Sequence, residues 1–394
     1  MTREEVMEIV EREDVKFIRL AYFDVRGVQH NVSIMPNRLQ RAFEKGIAVD
    51  CACVPGFGEE AESDLYLIPD PETMTFLPWR SAETGVIHMV CSLYRPDGRL
   101  FEQDSRQILK KAIEHAWQAD LDLMMAAKFE FYLFRLDENG NPTRIPFDQG
   151  GYMDVAPLDR GENVRRAICL TLDEMGLDPQ KSFHQEGPGQ NEIDFHFNEP
   201  LRAADEASIF KWVVRTSANA NGLYGDFSPK PLKDQPGSGL HIQIHLHDVV
   251  REVRDSFIAG ILKYVREATL FFNPSRESYE RLGRDRAPGC ASWSDTLRNV
   301  MVRIPGRSPD VVELRTADCL ANPYLAFALM IEAGLRGIRE SLKLPKPWQT
   351  GHAEPCPRLP RSVEQARELA TDSQFVHDVL PSEIIDWYLK GQER

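Results

Sequence analysis

The 394-residue sequence lacks any apolar run long enough to cross a bilayer, which takes about 20 consecutive apolar residues. The first twenty residues carry Glu4, Glu5, Glu8, Glu11 and Glu13, so neither a secretory signal nor a membrane anchor is expected, and the expected location is the cytoplasm. Basic charge is in deficit: 47 Lys and Arg stand against 61 Asp and Glu, a formal net charge of −14. That balance disfavours nonspecific binding to nucleic acid or anionic membrane while leaving room for a local basic site. Cysteine is scarce as well. Seven cysteines are too few for a disulfide-rich scaffold, and Cys51 and Cys53, placed for one face of a strand, lack the two-residue spacer of a redox CxxC. Buried thiols are the expectation for them. Internal repeats, low-complexity tracts and Gly/Ser-rich linkers are missing too, which excludes solenoids and loosely tethered domains. What is present, with 42% hydrophobic residues, is enough for a large core in two unequal globular domains.

Hydrophobic patterning divides the chain near residue 100. Before it, FIRLAYFD, VQHNVSIM and GVIHMVCSL read as short strands after a brief amino-terminal helix, and PDGRLFEQDSR marks a boundary before a helix near 104–118. After it, helices are predicted around 162–175, 204–222, 252–269 and 322–340. Strands are predicted near 124–134, 190–198, 240–247, 298–304 and 311–315, an α+β order on an antiparallel or mixed sheet.

Three strands carry polar residues at period two: Lys128, Glu130 and Tyr132 in KFEFYLF, His241 and Gln243 in GSGLHIQIHLH, and Glu313 and Arg315 in VVELRTAD. Each set points from one face of its strand, and buried charge must be paired, metal-bound or hydrated, so these faces predict a pocket wall. Glu130, Glu192 and Glu313 offer hard oxygens and His241 a nitrogen, a set that suits Mg²⁺ or Mn²⁺ holding phosphate. Taken singly, each of these acids is more often an ordinary ion-pair partner. Side chains two residues apart on a strand, as at 245 and 247, are expected about 6.5 Å apart, too far for the histidines at 241, 245 and 247 to share one ion, so His245 and His247 read as structural or surface residues. Gly237 and Gly239 permit a tight turn or close approach of a ligand. Arg281, Arg298, Arg303 and Arg315 are suited to carboxylate or phosphate, although scattered arginines are commonly solvated.

The chain resembles the glutamine synthetase family, including its glutamate-amine ligase relatives. The resemblance covers nearly the whole chain and rests on ESDLYLIPDPETMTFLPW (62–79), KFEFYLF (128–134), HQEGPGQNEIDF (184–195), PGSGLH (236–241), SYERL (278–282), RIP (303–305) and ANPYLAFALMIEAGL (321–335). It implies a small β-grasp-like domain at 1–100 and a larger catalytic domain at 101–394. It further implies a ring-forming homo-oligomer, most often a dodecamer of two hexameric rings, in which Asp50 of one subunit approaches the catalytic domain of another. The implied reaction moves the γ-phosphoryl group of ATP to the side-chain carboxylate of glutamate, and an amine then displaces phosphate from the acyl phosphate. Carried over by motif, Glu130 and Glu192 match ligands of one metal site and His241 and Glu313 ligands of another. Gly237, Arg281 and Arg315 match residues that hold glutamate, with Glu192 beside them. Arg298 and Arg303 match phosphate-side arginines, and Asp50 the acid that accepts and deprotonates the amine, here followed by CAC in place of GSS.

Several positions depart from the family pattern. Lys128 stands at a metal-ligand glutamate and Gln185 at another carboxylate. Pro236 replaces an asparagine, Gln243 a phosphate-side histidine and Val311 a phosphate-side arginine. The loop GRDRAP is one residue short and sets Arg286, which stays protonated, near the place of a catalytic carboxylate. Two readings follow. One is a specialised ATP-dependent ligase for glutamate or a related acid and an amine other than ammonia, with Lys128 acting electrostatically in place of one cation. The other is a catalytically weakened homologue that binds nucleotide or a small acid in a regulatory or structural role.

Overall fold

The computed structural model describes residues 1–58, 64–79, 85–349 and 356–391; Glu62 and Ser63, which open the 62–79 motif, lie outside them. The alternation in the amino-terminal segments folds as expected. Strand Phe17–Phe23 runs antiparallel to Gln29–Ile34 and parallel to Val86–Tyr94, which pairs on its far side with Leu65–Pro69. Cys51–Cys53 forms a single 3₁₀ turn, not the expected strand, because the Asp50 carboxylate accepts the Ala52 N–H at 3.0 Å and caps the turn.

A nine-stranded sheet follows, centred on the 14-residue strand Leu123–Leu136. Gln190–Phe195 and Leu240–Leu246 flank this strand, both antiparallel to it, and Val311–Leu314 lies beyond Leu240–Leu246. Period-two alternation sends Phe129 and Phe131 to one face, where they pack on Phe210 of helix Pro200–Ala220 with ring centroids 4.8 and 6.0 Å apart. Lys128 and Glu130 are left on the opposite face. Among the described residues no helix is long and apolar enough to cross a membrane.

Helix Pro323–Arg339 is apolar almost all round and buried, as a central helix must be. Asn322 caps it, accepting the Tyr324 N–H at 3.0 Å, with Pro323 in the first turn. It packs against helix Arg251–Glu267 through Gly260 and Gly337, where the backbones nearly touch: a Cβ on Gly260 would lie 2.1 Å from the Ala333 carbonyl oxygen.

One buried guanidinium ties the end of a strand of the small sheet to the helices of the larger unit. Arg106 donates to both oxygens of Asp205 at 2.9 and 2.8 Å and to Asp70 at 2.9 Å, while the Tyr324 hydroxyl donates to Asp205 at 2.6 Å. Asn322 Nδ2 and the Tyr388 hydroxyl both donate to the carbonyl of Val25, at 3.1 and 2.9 Å.

The expectation of buried thiols needs correction at Cys290 and Cys356, which are joined in a disulfide although 66 residues separate them, at Cys53, which is exposed, and at Cys169, which is half-buried. Cys91 and Cys319 are buried thiols. The histidine spacing also differs: the rings of His245 and His247 lie 4.1 Å apart, because the strand ends at Leu246 and the chain turns there.

Gly260→Val is expected to force the two helices apart and to cost about 1–3 kcal/mol of stability, read as a lowered urea midpoint with an unchanged denaturant slope.

Candidate functional site

Strand register assembles the site. Glu130 stands opposite Glu192, and Lys128 stands between Asp194 on one side and His241 on the other. Asp194 pairs onward with Lys181, while Gln243 stands opposite Glu313 and Glu313 opposite Arg303. Opposed Cβ atoms lie about 4.5–5.5 Å apart, so these side chains touch without help from loops.

The structure gathers most of the residues singled out above into one pocket. Lys128, Glu130, Glu192 and His241 form its floor. Gly237, Arg281, Arg286, Arg298 and Arg315 line it as well. Glu313, Gln243 and Arg303 lie just behind this wall, joined to it through the Glu313 carboxylate. Asp50 is elsewhere: it lies in the amino-terminal unit, exposed, its oxygens taken by the Ala52 N–H and the Cys53 thiol, and it does not line the pocket of its own chain.

Glu313 is fully buried and heavily compensated. Its Oε2 accepts from Lys128 Nζ at 3.0 Å and Gln243 Nε2 at 2.8 Å, and its Oε1 accepts from Arg315 at 2.7 Å and lies 3.6 Å from Arg303. Burial by itself would raise its pKa, yet the Lys128 and Arg315 charges, with the hydrogen bond from Arg315, outweigh burial and hold it well below the usual carboxylate range. His241 is pushed well down by burial and by Arg315, so its imidazole is neutral, with a lone pair available.

Glu130 and Glu192 are held differently. One amide joins them: Gln185 Nε2 donates to Glu130 at 3.1 Å and to Glu192 at 2.6 Å, and Glu130 also accepts the Gly239 N–H at 2.7 Å. Burial raises both carboxyls, Glu192 further because Glu130 and Asp194 stand beside it. As a donor set, two buried carboxylates fit a hard divalent cation.

Gly239 explains its own residue type, since a Cβ there would sit 2.7 Å from Arg281 Nη2 and 3.2 Å from Glu130. At the mouth, Arg286 of the shortened loop pairs with Glu186, and the pocket encloses about 120 Å³, below the roughly 300–1,000 Å³ of ordinary small-molecule sites.

Two charged residues escaped the reading of the sequence. Asp194 contacts Lys181 at 2.9 Å and lies 3.7 Å from Lys128, both at the pocket floor. Its position two residues after Glu192 was a usable signal, because period two puts both on one face. Lys181 had none, since its strand Pro179–His184 carries no apolar alternation.

A separate group, Asp148, Asp159 and His184, brings ligand atoms within 4.8 Å of one another and is a candidate metal cluster by composition. Its oxygens are already engaged. Asp148 accepts from His184 at 2.8 Å and from four backbone N–H groups, and Asp159 pairs with Arg165. The cluster braces the turn that presents Gln185, whose carbonyl lies 2.7 Å from His184 Nδ1.

Gln185→Ala removes the donor that joins Glu130 and Glu192, and an expected loss of about 1–3 kcal/mol in unfolding free energy is measured by urea denaturation.

The order and content of these elements agree with known proteins. The glutamine synthetase β-grasp domain matches residues 14–96 and the glutamine synthetase catalytic domain residues 102–394. A glutamine synthetase of Methanosarcina mazei is 38% identical, the match covering 100% of this chain and 93% of that protein. One from Staphylococcus aureus is 37% identical over 88% of this chain and 81% of its own length. Among solved structures, ligand-free GmaS superposes with a TM-score of 0.89 at 25% identity, covering 98% of this chain and 94% of that one. A GmaS complex with ADP superposes with the same score at 24% identity. The chain belongs to the glutamine synthetase family and has its two-part α+β architecture, a β-grasp domain followed by the larger catalytic domain.

Proposed function

We propose that the pocket joins the side-chain carboxylate of glutamate, or of a related acid, to an amine, with ATP as phosphoryl donor. The observation that carries this reading is the convergence of Arg281, Arg298 and Arg315 on the same pocket as the Glu130–Glu192 pair. A cavity that sets guanidinium groups opposite buried carboxylates is built for a substrate bearing both carboxylate and phosphoryl charge. Relatives named glutamine synthetase and the ADP complex of GmaS support an ATP-dependent, amide-forming C–N ligase.

In the first step a carboxylate oxygen of the acid forms a bond to the γ-phosphorus, the bond from that phosphorus to the bridging oxygen of ADP breaks, and an acyl phosphate results. Arg298 and Arg303 stand on the phosphoryl side and Arg281 and Arg315 hold the acid. Nη1 and Nη2 of Arg281 are oriented by the carbonyls of Thr316 and Arg315, at 2.9 and 3.3 Å. In the second step the amine nitrogen attacks the acyl carbon, phosphate leaves, and the nitrogen gives up a proton. The acceptor in this reading is Asp50 of a neighbouring subunit, since Asp50 is exposed and does not line the pocket of its own chain. A divalent ion, Mg²⁺ or Mn²⁺, would offset charge on the transferring phosphoryl group. Gln243 stays a supporting donor to Glu313. Arg286 fills the position of a carboxylate that would serve as a base, which argues against efficient synthesis of glutamine from ammonia.

The same reading includes a ring-shaped homo-oligomer, most simply a dodecamer, a division of the chain near residue 100, and a cytoplasmic location. A second reading, nucleotide or acid binding without turnover, is favoured by Lys128 on Glu313 and by the Arg286–Glu186 pair across the mouth.

ADP release with ATP and Mg²⁺ or Mn²⁺ is expected to require both an acid and an amine and to yield their amide by mass; no release across a broad panel of pairs, with nucleotide still bound, selects the second reading. Arg298→Ala is expected to lower kcat about 10²–10³-fold. Mixing separately inactive Asp50→Ala and Arg315→Ala chains and reassembling them is expected to recover ADP release, because some sites then combine an intact Asp50 with an intact Arg315.

A further inference from the structure

The two carboxylate groups of the pocket differ in how their charge is balanced. Both oxygens of Glu313 are occupied, and three cationic side chains, Lys128, Arg303 and Arg315, lie within 3.6 Å of it. Among the described residues neither Glu130 nor Glu192 has a Lys or Arg ion pair; a neutral amide and one backbone N–H are the donors that reach them. Arg281 and Arg315 act on Glu130 from beyond ion-pair distance, and two adjacent buried carboxylates with no ion pair of their own favour a bound cation.

The donor chemistry points the same way. Rotation of the Gln185 amide about its last torsion exchanges nitrogen for oxygen and would offer a third hard ligand beside Glu130 and Glu192. Near His241 and Glu313 the Gln243 amide, 2.8 Å from Glu313, could turn in the same way, but the Lys128 ammonium stays on the same carboxylate oxygen. Lys128 springs from the centre of the Leu123–Leu136 strand, in register with His241 and Asp194, and its ammonium is held between Glu313 and Asp194. Its Nζ sits 3.0 Å from the oxygen that a metal there would need, and an ammonium offers donors only. Arg315, 3.5 Å from His241 Nδ1, adds to the repulsion.

We propose that Lys128 is a built-in cation that holds the position between His241 and Glu313 with its own ammonium, so that the pocket takes a single divalent ion, between Glu130 and Glu192. This rests on the reading of the pocket as a phosphoryl-transfer site. Lys128 thereby supplies fixed charge, while the one exchangeable ion supplies coordination to oxygen.

The test counts ions, not turnover. The purified full-length protein, free of nucleotide, is titrated with Mn²⁺ while unbound Mn²⁺ is followed by its paramagnetic resonance signal. One ion per chain is expected for the wild type. Lys128→Glu is expected to take two, and Lys128→Gln, which offers a neutral oxygen in place of the ammonium, two with the second weaker. Thermal unfolding identifies any variant that fails to fold, and the other then carries the comparison. Two ions in the wild type, or none, overturns the proposal, as does a count of one in every folded variant. The outcome separates from that of the ligase reading: one ion with no ADP release removes the ligase and leaves Lys128 as the cation, whereas ADP release with two ions does the reverse.

Discussion

The register of the Leu123–Leu136 strand governs everything in the pocket. Its two neighbours meet it so that Lys128 faces Asp194 and His241, and Glu130 faces Glu192. A slip of this strand by one residue would turn Lys128 and Glu130 toward helix Pro200–Ala220 and bring Phe129 and Phe131 to the pocket, because strand side chains alternate strictly. The aromatic packing on Phe210 and the charge pattern of the site are therefore one constraint seen from two faces. The apolar face supplies the folding free energy that holds a charged face in place, which such a face could not do for itself.

Much of this was legible in the sequence because it is local. Period two in KFEFYLF and LHIQIHL places the polar residues on one face, and the helices at 105–118, 162–174, 251–267 and 323–339 lie close to where the apolar spacing sets them. Other features depend on separations that no local pattern encodes. The Cys290–Cys356 bond joins segments 66 residues apart. Arg106 reads in sequence as one helix-surface cation among several, and only the fold shows it buried between Asp70 and Asp205. Lys128 was visible as an anomaly in an acidic motif, but its partner Glu313 lies 185 residues away, so the neutralised carboxylate could not be seen from the strand alone. Asp50 marks the opposite limit, since its placement in the fold shows only that it does not line this pocket of its own chain.

The two halves of the chain are joined by polar groups as much as by apolar ones. Asp70 ends a strand of the small sheet, Arg106 begins a helix of the larger unit, and Asp205 and Tyr324 come from two further helices. A guanidinium suits this place because its planar donors engage both oxygens of one carboxylate and still reach another. The amino-terminal unit is thereby fixed against helices Pro200–Ala220 and Pro323–Arg339, which also support the sheet that carries the pocket.

The contact between Lys128 and Glu313 also constrains how this sequence can change over generations. With Asp194 at 3.7 Å on its other side, the ammonium separates two buried acids. Restoring a carboxylate at 128 without an ion at hand would set three acids together, and altering Glu313 first would leave the lysine with Asp194 alone. Substitutions at 128, 194 and 313 are strongly epistatic in that sense, since neighbours that share a charge do not contribute additively. A change at any one of these three positions therefore leaves a buried charge whose balance depends on the other two.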